Sequence, residues 1–458
     1  MCSQSALPSL YLGTFNSEYF WTDPEFSTLP SFTDTQADAI VSVMDELQFV
    51  LCNNPGDLVI SKYSMNPAHK AYLQELGFVF LSNEYSVIDN EGNDKDALPL
   101  NQSICQLLIE SPYREYFQGL FSSVSNFSPY SVMPFSYNFC INYDIQYGLP
   151  EFNTVKKVNS KFFSHDLSKR LFENSDGQIA HSAKELLYLG KGVLKKSSFL
   201  IKAPFGVSGK GNFLITSESL LKGIAKHLER QEKKGKQTKI LLEPLLDKHI
   251  DFSCHFAINH TGTMDFITIQ QMENTNFSFS SIHTGSPDLL KRLEKSGYFN
   301  NVEKIARALY HQGYYGYVCL DSMMLKDETI IPIIEINARK SMGLINHCVD
   351  EFLRQFSLHG CLSCFSFELS RDFQFEEIIY RLQKEDIFFE KYKSSGVLPL
   401  SANTLLVNSH RQSSHKLNNS NATSSKPYNG RLYASIVADN IEMQKRITTQ
   451  LNKVFSDF

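Results

Sequence analysis

Residues 315–343 read YGYVCLDSMMLKDETIIPIIEINARKSMG, two apolar runs divided by a short polar stretch. Runs of this kind, broken by KDET at 326–329, predict a β-hairpin. Side chains two apart on a strand share a face, so Glu335 and Asn337 project together. A tight turn at 326–329 brings Asp321 opposite Glu335, within about one residue of register. Val318, Leu320, Ile333, Ile334 and Ile336 require much of the hairpin to be buried. Acids in such a place need a partner. Two carboxylates and one amide form an all-oxygen donor set suited to Mg²⁺, or Mn²⁺ in its place. Arg339 follows directly. A surface hairpin with incidental acids is the competing reading, and the apolar runs weigh against it.

Upstream, residues 198–215 read SFLIKAPFGVSGKGNFLI. Apolar runs at 199–201 and 213–215 flank a loop with Gly206, Gly209 and Gly211. Such a loop lets backbone N–H groups approach phosphate oxygens, and Ser208 and Lys210 add a hydroxyl and a charge. Lys202, at the end of the first run, reaches the same anion. The loop is not a Walker A motif: Pro204 stands where that motif needs Gly, and Gly211 where it needs Ser or Thr. Taken alone, a Gly-rich hairpin is only a turn. Residues 239–259, KILLEPLLDKHIDFSCHFAIN, read as two strands joined at a hinge. There Glu243 is placed to accept an adenine amino group, the backbone of Leu245 and Leu246 to read the ring edge, and Asp251 to bind ribose hydroxyls. An ordinary surface crossover is the alternative.

In this order the segments resemble the ATP-grasp superfamily: Lys202 with PFGVSGKGN, the hinge EPLLDKHID, the carboxylate in GYVCLD and the closing EINAR. The resemblance covers residues 150–347. It implies an ATP-grasp fold, two α+β subdomains clamping ATP, preceded by an N-terminal α/β pre-ATP-grasp domain. It also implies Mg²⁺ on Asp321, Glu335 and Asn337, with Arg339 and Lys202 as catalytic groups on the phosphates. The implied reaction activates a carboxylate as an acyl phosphate, which an amine or, less often, a thiol then attacks. An earlier lysine completes the phosphate grip; Lys161 is our choice, with Lys157 and Lys169 as rivals. Glu243 and Asp251 stand eight positions apart where related sequences often have seven, so Asp247 is a substitute for the ribose contact. Ser341–Gly343, GVLPL and GRLYASIVADN are similar to ligases of peptide and amino-acid natural products, of the pheganomycin peptide-ligase or butirosin carrier-protein glutamate-ligase type. Ser341 and His283, the latter in FSFSSIHTG, are the expected substrate-side residues. A His satisfied by a neighbouring backbone group is the competing reading for His283. The expected partners are a small-molecule carboxylate and amine, with a carrier protein and a homodimer as open options. A nucleotide-binding protein without turnover, and a kinase that stops at phosphoryl transfer, are the other function classes.

The 458 residues exceed one hydrophobic core. They divide into an N-terminal α/β domain (1–150), the ATP-grasp domain (151–350) and a C-terminal α+β subdomain (351–458) with a mobile loop at 411–430. A net charge of −5 gives no general nucleic-acid signal, and the basic run 230–239 reads as a solvated helix end. No charged-then-apolar N-terminal segment and no apolar run of about 20 residues are found, so the expected location is the cytoplasm, away from membranes. Nine scattered cysteines argue against a disulfide framework, and Cys361 and Cys364 lack the second pair of a zinc site; their spacing suggests core or helix packing. Residues 33–49 have helical periodicity with Asp34 as cap, and 57–61 and 77–81 read as strands around a helix at 67–76. An amphipathic helix at 302–312 delivers the metal hairpin. Residues 373–391 and the last twenty read as helical, and strands at 396–407 and 431–437 are expected to pair across the 411–430 loop.

Overall fold

The computed structural model of the chain describes residues 7–30, 34–88, 102–173, 176–206, 211–275, 278–370, 373–416 and 427–456. Strands β1 (Ser9–Tyr11), β2 (Leu58–Val59), β3 (Leu81–Ser82) and β4 (Asn126–Phe127) form a parallel sheet in the order β3-β2-β1-β4. Parallel neighbours need crossovers, and the helix Pro67–Leu76 supplies the one between β2 and β3. Its ends are set by sequence: the Asn66 side chain accepts from the His69 N–H, Pro67 opens the first turn, and Gly77 closes it at φ +112°. Asp34 caps Thr35–Ser42 as its position predicts, accepting from the N–H groups of Gln36 and Ala37. The α-helix then tightens into a 3-10 helix, Met44–Leu51, instead of continuing to residue 49.

Strands β5 (Gln178–Ala180), β6 (Phe199–Lys202), β7 (Asn212–Ile215) and β8 (Ile240–Pro244) make a small antiparallel sheet in the order β5-β8-β6-β7. Phe199, Ile201 and Ile215 on its inner face bury against Leu221 and Leu228 of the helix Glu218–Glu232. The third sheet is antiparallel and has eight strands. They are β9 (Lys248–Ile258), β10 (Met264–Thr275), β11 (Ser278–Thr284), β12 (Gly316–Leu325), β13 (Ile330–Asn337), β14 (His359–Leu369), β15 (Gly396–Pro399) and β16 (Tyr428–Ala438). Their order is β13-β12-β9-β10-β11-β14-β16-β15, so the strands after residue 350 continue the sheet that carries the hairpin. One core runs through this region. It joins Phe15, Leu47 and Phe49 from the N-terminal part to Leu405, Ile436 and Leu451.

Residues 403–407 are not strand: the helix Asn403–Lys416 begins there, and only β15 precedes it. The expected 411–430 loop is therefore shorter, bounded by Lys416 and by Tyr428 of β16; residues 417–426 lie outside the described residues. The helix starts where it does because the buried Glu46 carboxylate accepts from the N–H groups of Ala402, Asn403 and Thr404. Cys361 and Cys364 lie on β14, not on a helix. A spacing of three on a strand puts their thiols on opposite faces, which excludes a pairing.

Candidate active site

The hairpin of β12 and β13 pairs Asp321 with Glu335 and Cys319 with Asn337. The chain reverses at Glu328, which takes φ +67°, while the Leu325 and Glu328 N–H groups close the turn. Period two then sets Asp321, Glu335 and Asn337 on one face. The Asn337 amide N–H donates to Asp321 at 2.9 Å, and Cys319 Sγ donates to the other Asp321 oxygen at 3.5 Å. Burial, and then the like charge of Glu335, push the Asp321 carboxyl up to about 7. A polar row crosses the sheet from here, because Ser253 of β9 faces Asp321, Gln270 of β10 faces Ser253 and Thr284 of β11 faces Gln270.

Lys161 opens the helix Lys161–Phe172, capped by the Ser160 hydroxyl. That helix lies on β13, with Ser164 Oγ accepting from the Ile336 N–H at 3.0 Å. The Lys161 ammonium is buried, forms an ion pair with Glu335, and reaches the Gly206 carbonyl at 3.5 Å. It thus spans the gap between the hairpin acids and the glycine-rich loop. Its rivals sit elsewhere: Lys157 bonds Gln312 at the surface, and Lys169 is exposed. Lys202, also buried, forms an ion pair with Glu243. Leu200 is the register partner of Glu243 on β8, so Lys202 meets that acid on the diagonal. Gly211 has φ +86°, and a Cβ there would lie 3.2 Å from the Phe205 carbonyl, so glycine is needed where the loop rejoins β7. Ser208, Gly209 and Lys210 fall outside the described residues.

At the hinge, Leu245 and Leu246 are exposed, an apolar pair open to a planar ring. The Leu245 N–H is already given to the Ser198 carbonyl at 3.2 Å, and the Leu246 carbonyl accepts from Lys248. Asp251 is half-buried and forms an ion pair with Lys248, whereas Asp247 is exposed and pairs with Lys326. His165, which the sequence did not single out, approaches this corner. A Cβ on Gly177 would meet its ring at 2.7 Å and the Glu243 side chain at 3.3 Å. Burial lowers the His165 pKa, and Glu243 opposes that.

Arg339, its side chain only 9% exposed, is held from the N-terminal part of the chain. Its Nε and Nη2 both donate to Glu18 Oε1, at 2.9 and 2.7 Å, and its Nη1 lies 3.4 Å from the Tyr130 hydroxyl. Burial opposes its charge most strongly, but Glu18, Tyr130 and Cys319 together outweigh that and the guanidinium pKa is raised. Nη2 also donates to the Asn337 amide oxygen at 3.1 Å, which joins Arg339 to the acids. Asn159 fixes the backbone between them, accepting from the Ala338 N–H at 2.9 Å. Glu18, Tyr130 and Asn159 were not legible as site residues, because nothing local marks a side chain that arrives from 180 to 320 positions away. Ser341 caps the helix Met342–Arg354 and contacts the buried His255 at 3.3 Å. His283 on β11 is half-buried, and its Nδ1 lies 3.0 Å from the Thr284 carbonyl, apart from the acids.

Among the described residues no group of three His, Cys, Asp or Glu side chains is arranged to hold a metal ion, so a cation at the hairpin needs the Asn337 amide as its third donor. The set fits Mg²⁺. All donors are oxygen, and two like charges face each other with Lys161 and the Asn337 amide N–H standing where a cation would neutralise them.

No family model matches the chain. Among curated proteins, the [butirosin acyl-carrier protein]–L-glutamate ligase of Niallia circulans is 22% identical over 198 residues, 42% of this chain. The match spans 45% of that relative's length. Among solved structures, Rhizobium etli pyruvate carboxylase superposes with a TM-score of 0.53 at 11% identity, over 97% of this chain and 37% of that one. N5-carboxyaminoimidazole synthase from Aspergillus clavatus, solved with ADP and 5-aminoimidazole ribonucleotide, gives 0.49 at 9% identity over 87% of this chain and 98% of that one.

Proposed function

From the premise that this chain has the ATP-grasp fold, we propose that it is an ADP-forming ligase that joins a carboxylate to an amine through an acyl phosphate. One observation carries the reading: polar contacts run unbroken from the Gly206 carbonyl through Lys161 and Glu335, and from Asp321 through Asn337 to Arg339. Phosphoryl transfer to a carboxylate needs alignment and charge neutralisation rather than a protein nucleophile. Lys161 and Lys202 bind the α- and β-phosphates, each exchanging its present carboxylate for the nucleotide. Gly206, Ser208, Gly209 and Lys210 are the loop residues that contact the phosphates. Glu243, Leu245, Leu246 and Asp251 hold the adenosine between the small sheet and the large one. Asp321, Glu335 and Asn337 would hold Mg²⁺, or Mn²⁺, which supplies phosphate charge neutralisation when bound. Arg339 stabilises the transferred phosphoryl group and the acyl-phosphate carbonyl. The amine then attacks the acyl carbon and phosphate leaves. The nucleotide and metal ligands lie within residues 151–350, Glu18 and Tyr130 reach Arg339 from 1–150, the pre-ATP-grasp domain, and the protein works in the cytoplasm.

A second reading places a carrier-protein thiol where the amine stands. It is favoured by the Niallia circulans relative, whose name specifies an acyl-carrier protein and L-glutamate. Binding without turnover is disfavoured, since it gives no reason to hold two acids, an amide and Arg339 in mutual contact. ATP and Mg²⁺ with paired carboxylates and acceptors, free amines against a pantetheine thiol, test the proposal. ADP and phosphate are expected only when both substrates are present, and the productive acceptor separates the two readings. Tight ATP binding with no turnover in any combination contradicts both.

A further inference from the structure

Beside Arg339 stands a second buried cation that the chemistry above does not use. Lys340 is 3% exposed, and its ammonium donates to the Ser128 carbonyl (2.6 Å), the Ser128 hydroxyl (2.7 Å) and the Pro129 carbonyl (3.0 Å). Its three hydrogens thus meet three oxygens, which leaves none for a substrate. The rings of Tyr11 and Tyr317 flank it, with centroids 4.9 and 5.5 Å away. Burial pushes the Lys340 pKa down to about 7, so holding a charge here is costly even with three acceptors, and a lysine is not placed there merely to fill space.

What it grips is the segment just past β4. The N–H groups of Ser128 and Tyr130 donate to the carbonyls of Leu10 and Leu12, which ties that segment to the parallel sheet at β1. Gly13, at φ +140°, lets Tyr130 come close, since a Cβ there would sit 2.8 Å from the Tyr130 Cβ. Phe15 stacks on the Tyr130 ring at 4.0 Å. Tyr130 in turn touches both residues: its hydroxyl lies 3.4 Å from Nη1 of the preceding Arg339, and its carbonyl accepts from the Lys340 N–H at 3.0 Å.

We propose that Lys340 is a positioning residue that sets the aim of Arg339 by locking the end of β13 to residues 128–130. The ammonium holds two backbone carbonyls that a neutral side chain would leave without a donor. Releasing them lets the 128–130 segment, and the Tyr130 hydroxyl with it, move away from the guanidinium. The inference rests on the ligase reading, in which Arg339 acts on the transferring phosphoryl group.

The test is a double-mutant cycle in kcat, with KM for ATP read alongside. Lys340→Met is expected to lower kcat about 10- to 100-fold while KM for ATP moves less than about 2-fold, because a displacement near 1 Å is felt by the reacting geometry. In an Arg339→Lys background the same substitution is expected to cost less than about 3-fold, since the group it aims is already gone. Ser128→Ala, which removes one acceptor of three, carries the same comparison in milder form if Lys340→Met does not fold. A kcat within 2-fold of wild type, or an equal cost in both Arg339 backgrounds, overturns the inference. A wild-type protein without carboxylate-dependent ADP formation instead overturns the ligase reading, and this inference with it.

Discussion

Glu335 and Asn337 stand two apart on β13, and that spacing makes them work as one group. Glu335→Gln keeps an oxygen for Lys161 but loses the charge; Asn337→Ala removes the link between Asp321 and Arg339. Each is expected to lower steady-state ADP formation about 100-fold or more at saturating Mg²⁺, with a melting transition still present. Turnover near wild type in either variant would remove the metal assignment. Glu18 makes a different case. The side chains of both it and Arg339 are less than a tenth exposed, and its second oxygen has no hydrogen-bond partner. Removing one member of such a pair strands the other, so Glu18→Ala is expected to cost about 3–5 kcal/mol in a denaturant titration. A loss below 1 kcal/mol would mean that water reaches the guanidinium. The contrast shows what a sequence reveals at this scale. Asp321 opposite Glu335 followed from period two and a short turn, both local. Glu18 and Tyr130 reach Arg339 from positions far off in the chain, as Ser128 reaches Lys340, and no local period encodes those meetings.

The helix capped by Asp34 and the helix at 67–76 were legible; the strand expected at 77–81 was not, since Gly77 closes that helix at φ +112° and β3 holds only Leu81–Ser82, and elsewhere a distant side chain sets the boundary. The run TLLVNS after Asn403 suits a strand by composition, yet Glu46 turns it into a helix by capping it from more than 350 positions away. That cap predicts a pH dependence. Burial, and then the like charge of Asp45, push the Glu46 carboxyl up to about 8. The folded state therefore keeps a proton that the unfolded chain releases near 4.5. The stability this contributes is complete below the unfolded pKa and is lost as pH rises through about 8. Melting temperature should fall between pH 5 and 8, and Glu46→Gln should flatten that fall. A smaller decline remains from Asp45, raised to about 7 by burial, while the buried Lys62 beside it pushes the other way. Parallel curves for variant and wild type would contradict the account. The helix Met342–Arg354 gives the second element-scale prediction. A Cβ on Gly343 would lie 2.4 Å from Nε2 of His255, which hydroxyls of Ser253 and Ser341 hold in place. Gly343→Ala is expected to destabilise by about 1–3 kcal/mol through overpacking, read as a lowered urea midpoint. An unchanged midpoint would show that the helix can shift off the sheet.

On the scale of the whole molecule, the ATP-grasp architecture follows from the order of four motifs, each weak alone. The continuation of β14 and β16 onto the hairpin sheet was not visible. Pairing between strands more than 70 positions apart depends on which edge is left open, not on either strand's own sequence. The central claim, a carboxylate activated by phosphoryl transfer, is tested most directly without knowing the acceptor. Hydroxylamine replaces the amine, ATP and Mg²⁺ are supplied, and a panel of amino acids and short peptides serves as carboxylates. The account predicts a hydroxamate formed in equal amount to ADP and inorganic phosphate with at least one member of the panel. Hydroxamate accompanied by AMP and pyrophosphate would contradict it, since that product pair requires an acyl adenylate.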